Sequence, residues 1–294
     1  MQGEQLMICT DGLVRTKVEN AIKRLQSFEP PEGYYVAFSG GKDSQCIYHL
    51  CQMAGVKFDA HYNVTSVDPP ELVRFIKRQY PDVHFDIPHD KSGKPVTMWS
   101  LIASHTILPT RMVRYCCAQL KETAGDGRLV VTGVRWSESV RRKKERHLID
   151  SGKKEGQYTN YDNEDTRKMV EQCYLKRRTT LNPIIDWEEE DVWEYLNDVV
   201  KVPHCELYDQ GFTRLGCIGC PMQQQEGILK EFKRWPKYRE NYLRAFAPML
   251  KNAKERGRGK GWDTVDDVMR WWIKQEYNVK IEENQMEIEE EYDE

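Results

Sequence analysis

Apolar runs of strand length alternate along the chain with stretches whose apolar positions recur every three or four residues. Tyr34–Phe38 is a short continuous apolar run, the pattern of a strand covered on both faces. Gly40-Gly41 follows it, and then a helix predicted through Met53, in which Cys46, Ile47, Leu50, Cys51 and Ala54 fall on one face. Phe58–Val64 reads as a second strand. Pro69-Pro70 opens a helix containing Leu72, Val73, Phe75 and Ile76, as proline does at a first helical turn. Val83–Ile87 predicts a third strand, Val96–Ile107 a helix, and Leu129–Gly133 a strand rich in β-branched residues. Asn182–Asp186 reads as a last or edge strand, with Asp186 placed to cap a helix over Glu188–Leu196. This alternation predicts an α/β fold with a mostly parallel sheet and helices on both faces. Beyond Val202 the pattern changes to a loop with paired cysteines and then to helices carrying Trp235, Tyr238, Tyr242, Phe246, Trp271 and Trp272. The expected division is an α/β domain over 1–200, a loop and helical subdomain over 201–281, and a polar tail over 282–294.

Composition narrows the class. Of 294 residues 31% are charged and 39% apolar, but 8 Trp, 15 Tyr and 8 Phe provide core groups that a disordered chain lacks. No run approaches the roughly 18 apolar residues of a membrane span, so no membrane partner is expected. Met1–Gly12 has no basic segment followed by an apolar one, which argues against a secretory signal. Nine cysteines in that context point to a reducing, cytoplasmic setting where thiols bind metals or do chemistry. The net charge of −3 conceals an acidic segment, Glu282–Glu294, with eight carboxylates and no Lys or Arg. Without it the chain carries +5. Basic residues gather in Arg135–Arg146, Lys176–Arg178 and Lys254–Lys260. Such clusters suit a polyanion, although a solvated surface is the commoner reason for any one of them. Gly152–Asp165 is polar and reads as a loop.

Chemistry first shows at Ser39-Gly40-Gly41-Lys42-Asp43-Ser44, between a strand and a helix. Two glycines let the backbone turn tightly and approach a ligand. Free N–H groups and the positive end of the helix dipole favour phosphate, Lys42 adds a point charge, and the Ser39 and Ser44 hydroxyls can donate to phosphate oxygens. The spacing is not that of a Walker loop. An ordinary Gly-Gly turn before a capped helix is the bland alternative, and position, composition and charge together favour phosphate.

This segment resembles the PP-loop of the adenine nucleotide alpha-hydrolase superfamily, whose members adenylate a substrate with ATP and release pyrophosphate. Cys116-Cys117-Ala118-Gln119-Leu120-Lys121, Thr132-Gly133-Val134-Arg135 with Glu138-Ser139, Asn182-Pro183-Ile184-Ile185-Asp186-Trp187, and Gly216-Cys217-Ile218-Gly219-Cys220-Pro221 resemble blocks of the phosphoadenylyl/adenylyl-sulfate reductase family, in the right order. The resemblance implies a Rossmann-like adenine-nucleotide domain and sulfur chemistry. It also implies ATP or adenylyl sulfate as ligand, with Ser39, Gly40, Gly41, Lys42, Asp43, Ser44, Gly133 and Arg135 around it. Lys42, Asp43 and Arg135 are then the candidate catalytic residues.

Cys116 and Cys117 are adjacent in a predicted helix, so their side chains diverge by about 100°. They fit poorly on one tetrahedral zinc but can reach different corners of a cubane cluster. Cys217 and Cys220, flanked by Gly216 and Gly219, complete four thiolates. In the resembling adenylyl-sulfate reductases such pairs hold a [4Fe–4S] cluster. Zinc, or a redox dithiol at Cys217/Cys220, remains the alternative. Cys46 and Cys51 read as buried apolar groups, Cys9 and Cys173 have no partner pattern, and Cys205 is ambiguous. Arg135 is the position at which the family's Thr-Gly-x-Arg block implies anion binding, and Trp136 stands where many reductases carry a second Arg. The basic residues that follow fit either a solvated face or nucleic-acid phosphates. His61 and His84, in predicted strands, read as structural.

Two departures from the reductases direct the functional expectation. Their nucleophilic cysteine near the C-terminus has no counterpart after Cys220 here. The full Ser-Gly-Gly-Lys-Asp-Ser loop is typical of members that split ATP between its α- and β-phosphates. The chain is similar in this to the iron–sulfur protein of DNA phosphorothioation. The expected function is adenylation with Mg²⁺ and ATP in sulfur transfer, with a sulfur-donor protein and a nucleic-acid acceptor as candidate partners. A sulfonucleotide reductase with its nucleophile moved, to Cys205 or to a partner, and a nucleotide-binding scaffold with a structural cluster are the alternatives.

Overall fold

The computed structural model describes residues 12–122, 125, 127–151, 157–159, 179–259 and 261–274. Cys9, Cys173, the basic cluster Lys176–Arg178, Lys260 and the acidic segment Glu282–Glu294 lie outside them, as does most of the expected loop Gly152–Asp165. Strands β1 (Tyr34–Ala37), β2 (Phe58–Asn63), β3 (His84–Asp86), β4 (Leu129–Val131), β5 (Ile149–Ser151), β6 (Gln157–Thr159) and β7 (Thr179–Leu181) form one sheet among the described residues. Its order is β3-β2-β1-β4-β7-β5-β6. The first five in that order are mutually parallel, while β5 runs antiparallel to both β7 and β6. Helices surround it, and the fold is Rossmann-like α/β.

The chain divides into two compact units, neither of them one continuous stretch. The first comprises Met1–Asn63, Pro69–Asp86 and Thr123–Leu215, and the second Val64–Asp68, Ile87–Glu122 and Gly216–Glu294.

In the first unit the sheet core is continuous and apolar. Tyr34, Val36, Leu129, Val130, Val131 and Leu181 are buried, as β-branched and aromatic residues are in strands covered on both sides. Helix α1 (Gly12–Ser27), which the pattern analysis did not anticipate, buries Val14, Val18, Ala21 and Leu25 at helical spacing and packs on α2 (Lys42–Ala54). The expected face of α2 is buried as read, and Gly55 ends the helix in the left-handed conformation at φ 68°. Helix α3 (Pro70–Gln79) starts at the predicted proline and buries Leu72, Phe75 and Ile76.

Three expectations are corrected. The last parallel strand is Thr179–Leu181, and the chain turns at Asn182, where Ile185 N–H donates to the Asn182 carbonyl at 3.1 Å. Pro183 has no N–H for a ladder, which explains why the strand stops before it. Asp186 does not cap the next helix. Its carboxylate is held by both Arg24 guanidinium nitrogens at 2.8 and 2.9 Å, and the helix Glu189–Glu194 begins after Glu188, whose N–H donates to Asp191 at 2.6 Å. Gln157–Thr159, inside the expected loop, is a strand paired with β5.

In the second unit, the helices Gln225–Arg234, Pro236–Glu255 and Val265–Lys274 follow the cysteine loop as expected. Trp272 is fully buried, lies 4.8 Å from the Tyr242 ring and 5.6 Å from Phe246, and donates its indole N–H to Pro109 O at 2.8 Å. An aromatic this large buries about 150–250 Å², so it anchors this core, and its one polar atom is satisfied. The helix Met98–Ser104 is shorter than the predicted 96–107 because Thr97 caps it, accepting from Ser100 N–H at 3.1 Å.

Candidate functional site

The loop between β1 and α2 is shaped by one backbone conformation and one contact. Gly40 has φ +74°, and a Cβ there would sit 2.6–2.9 Å from the side chains of Ile76 and Leu72. The first favours glycine and the second requires it. A Cβ on Gly133 would lie 2.9 Å from the Asp43 backbone, so the strand end beyond β4 closes directly on the first turn of α2. Gly41 occupies the N-cap position, with no side chain supplying a capping bond. Lys42, Asp43, Gly133 and Arg135, predicted from separate stretches, are thus brought together.

The polar partners of this turn are specific. Ser44 Oγ donates to the Gly41 carbonyl at 2.8 Å, and Ser39 Oγ lies 3.3 Å from Ser44 Oγ. Lys42 is only 5% exposed, and its Nζ stands 3.6 Å from Asp43 Oδ2 and 3.7 Å from Glu189 Oε1. Arg135 is 2% exposed and does not face solvent. Its Nε donates to Asp43 Oδ1 at 2.7 Å and one terminal nitrogen to Ser137 Oγ at 2.8 Å, while its own N–H donates to Glu138 at 3.0 Å. Arg135 therefore holds Asp43 in place on the first helical turn. Trp136 donates its indole N–H to Arg146 O at 2.7 Å.

Sequence reading missed Glu189 and Tyr208. The Tyr208 hydroxyl accepts the Lys42 backbone N–H at 2.9 Å, and Lys42 Nζ lies 5.9 Å from that ring. A lone tyrosine in a loop and one glutamate in an acidic helical turn carry no distinguishing spacing. Cys205 is fully buried, and burial raises its thiol pKa. A buried, protonated thiol is a poor nucleophile. His61 sits between Asp59 and Asp86 and stacks on Tyr35 at 4.1 Å.

The four candidate ligand cysteines all belong to the second unit. Tyr115–Cys117 forms a short helical turn that continues as the π-turn Ala118–Glu122. Cys116 and Cys117 share a hydrogen bond that holds the Cys116 thiol up and the Cys117 thiol down, with Arg114 also favouring the Cys117 thiolate and Cys217 and Cys220 adding charge beside Cys116. Burial pushes the Cys217 thiol up to about 12, against the nearby Lys121. Asp68, a loop candidate without a motif in the sequence, and Thr65, which the sequence did not mark, flank that thiol, with Thr65 Oγ1 3.8 Å from the sulfur and 2.7 Å from Asp68.

The loop carrying Cys217 and Cys220 is tightly braced. Ile218 N–H donates to Val67 O at 2.8 Å, Tyr242 donates to Ile218 O at 2.8 Å, and Gly219 N–H donates to the buried Glu231 at 2.7 Å. Gly219 has φ +71°, and a Cβ there would meet Phe232 at 2.8 Å. Arg111 fixes the following turn through Pro221 O at 3.1 Å and Gln223 O at 3.0 Å. No disulfide forms among the described cysteines. Among the described residues no three His, Cys, Asp or Glu side chains are grouped so as to hold one metal ion. No helix among them is long and apolar enough to cross a membrane.

An uncharacterised protein of Methanocaldococcus jannaschii is 29% identical over 253 residues, 80% of this chain and 45% of that protein. An adenosine 5′-phosphosulfate reductase of Oceanobacillus iheyensis is 28% identical over 185 residues, 60% of this chain and 63% of that one. The chain thus spans from under half to under two thirds of these relatives' length. Among solved structures, a Candida glabrata FMN adenylyltransferase in complex with FAD and inorganic pyrophosphate is similar with a TM-score of 0.49, 14% identity and 79% coverage of each chain. Residues 33–223, which contain the glycine loop, Arg135 and both cysteine pairs, match the phosphoadenosine phosphosulfate reductase domain, and the chain belongs to that family.

Proposed function

We propose that this chain binds ATP at the Ser39–Ser44 loop and adenylates a substrate, releasing pyrophosphate, in a sulfur-transfer reaction. The observation that carries the reading is the constructed first turn of α2. Gly40 is in the left-handed conformation with no room for a Cβ, Gly133 is pressed against Asp43, and Lys42 is buried at the helix start, where phosphate oxygens are best received. A substrate oxygen would attack the α-phosphorus while the bond to the bridging oxygen breaks and pyrophosphate leaves with the electron pair. Lys42 and the α2 N–H groups would neutralise the leaving charge, Asp43 would be positioned by Arg135, and Mg²⁺ would offset the triphosphate beside Asp43 and Glu189.

Cys116, Cys117, Cys217 and Cys220 would hold a [4Fe–4S] cluster, a reading supported by the two cysteine pairs of the family domain and by Cys116 feeling the charge of the other three, with Arg114 and Lys121 nearby. When bound, the cluster would supply redox capacity or a sulfur relay. The burial of Cys205 weighs against a reductase that uses this thiol as its nucleophile.

The test is a pair of assays on the anaerobically purified full chain. Mg–ATP should bind, with Lys42→Ala weakening it roughly 10- to 100-fold, the value of a hydrogen bond to a charged group. Adenylyl sulfate with thioredoxin should yield no sulfite. Thioredoxin-dependent sulfite release that is abolished by Cys205→Ser would overturn the assignment.

A further inference from the structure

The first peptide N–H of α2 is already engaged. A phosphate at this helix start would take the Lys42 N–H, one of the unsatisfied donors that helix geometry leaves at an N-terminus. Here that N–H donates to the phenol oxygen of Tyr208 at 2.9 Å. The same hydroxyl would stand 3.4 Å from a Cβ on Gly41, so it sits directly against the glycine turn. Tyr208 is poised rather than loose. Its ring packs edge-on against Trp193 at 5.0 Å and 90°, and its N–H donates to Cys205 O at 3.0 Å. Burial holds the phenol above its ordinary range, so its oxygen is neutral and a weaker acceptor than a phosphate. The Lys42 ammonium is likewise engaged, by Asp43 at 3.6 Å and Glu189 at 3.7 Å.

We infer that Tyr208 is an internal stand-in for a phosphate oxygen, displaced when a nucleotide's phosphates occupy the loop, and that it thereby sets the affinity and the phosphate selectivity of the site. This deepens the nucleotide reading above and rests on it. A neutral hydrogen bond is exchanged for a charge-assisted one, so displacement is favourable but costs affinity. The cost falls only on ligands that bring an oxygen to the Lys42 N–H. Adenosine, which lacks phosphates, does not encounter it.

The test is isothermal titration of wild type and Tyr208→Phe with pyrophosphate, Mg–ATP and adenosine. The substitution removes the acceptor and keeps the ring against Trp193. Pyrophosphate and Mg–ATP should bind about fivefold more tightly to Tyr208→Phe, one ordinary hydrogen bond's worth, while adenosine affinity stays unchanged. Unchanged or weaker pyrophosphate and ATP binding in a variant whose circular dichroism matches wild type would overturn the inference. An equal gain for adenosine would do the same, because it would mean a general loosening. Absence of pyrophosphate and ATP binding in wild type, with no response to Lys42→Ala, would instead remove the nucleotide reading on which it rests.

Discussion

Arg135 shows how a single side chain divides between what spacing can and cannot reveal. Resemblance of the Thr-Gly-x-Arg block to the reductases implies an anion-binding position, and in the structure the anion beside it is the protein's own Asp43, 2.7 Å away. The pairing joins the end of one strand connection to the first turn of α2 across 92 residues of sequence, a relation that no local pattern contains. Removing a buried charge while leaving its partner in place costs on the order of 3–5 kcal/mol. With Asp43 26% exposed, the lower end of that range applies, so Arg135→Ala should lose about 3 kcal/mol in urea denaturation. It should also weaken ATP binding, because Asp43 is no longer held. Adding Asp43→Ala should recover part of the stability, since the uncompensated carboxylate is then gone, but none of the binding. A single variant as stable as wild type would show that the pair does not brace the turn. The glycines were legible in kind, while the atoms they make room for, Ile76 and the Asp43 backbone, emerged only from the fold.

At the scale of elements, legibility follows burial. β1 and β4 declare themselves as apolar or β-branched runs because both sheet faces are covered there, whereas β2 is mixed and buries only Ala60 and Tyr62. β5 and β6 are three-residue antiparallel strands in polar sequence, where nothing in the period distinguishes strand from loop. Helix α1 has a clear stripe, but the hydrophobic pattern read above starts only at Tyr34. The four cysteines were visible as two spaced pairs, and the supports around them, Glu231 and Arg111, were not.

The last described helix, Val265–Lys274, gives an element-level prediction. Thr264 and Asp267 cap it reciprocally, with Thr264 N–H to Asp267 at 2.8 Å and Asp267 N–H to Thr264 Oγ1 at 3.2 Å. Hydrogen bonds from Thr264, aided by Arg270, hold the Asp267 carboxyl at about 2 instead of its ordinary 3.8. A depressed carboxyl contributes stability that is present above its unfolded value and lost as pH falls through the folded one. The contribution from Asp267 should therefore fade between about pH 4 and pH 2. Asp267→Asn should flatten the difference in melting temperature between those two pH values, as followed by circular dichroism. An undiminished slope in the variant would place the acid sensitivity elsewhere.

At the scale of the molecule, the two candidate sites belong to different compact units. The glycine loop, Arg135, Glu189 and Tyr208 fall in one, and all four candidate ligand cysteines with Thr65, Asp68 and Lys121 in the other. The hydrogen bonds described above from the cysteine loop to Val67, Tyr242 and Glu231 join residues of the same unit. If the thiolates hold a cubane, the anaerobic protein should contain about four irons with matching acid-labile sulfide, and serine at Cys116, Cys117, Cys217 or Cys220 should lower both. Metal binding is folding free energy for the residues that ligate, so the same variants should unfold more readily in the helices that surround Trp272. Hydrogen exchange would register this as lost protection in Pro236–Glu255 and Val265–Lys274, with α2 unaffected. ATP affinity, which depends on groups in the first unit, should stay within about twofold of wild type, the scatter expected when two sites act independently. A drop in ATP affinity that tracks iron loss across all four variants would show that the units are energetically coupled and that the cluster serves the nucleotide site directly. Wild-type protein with one stoichiometric zinc and no iron would instead give these cysteines a purely structural metal.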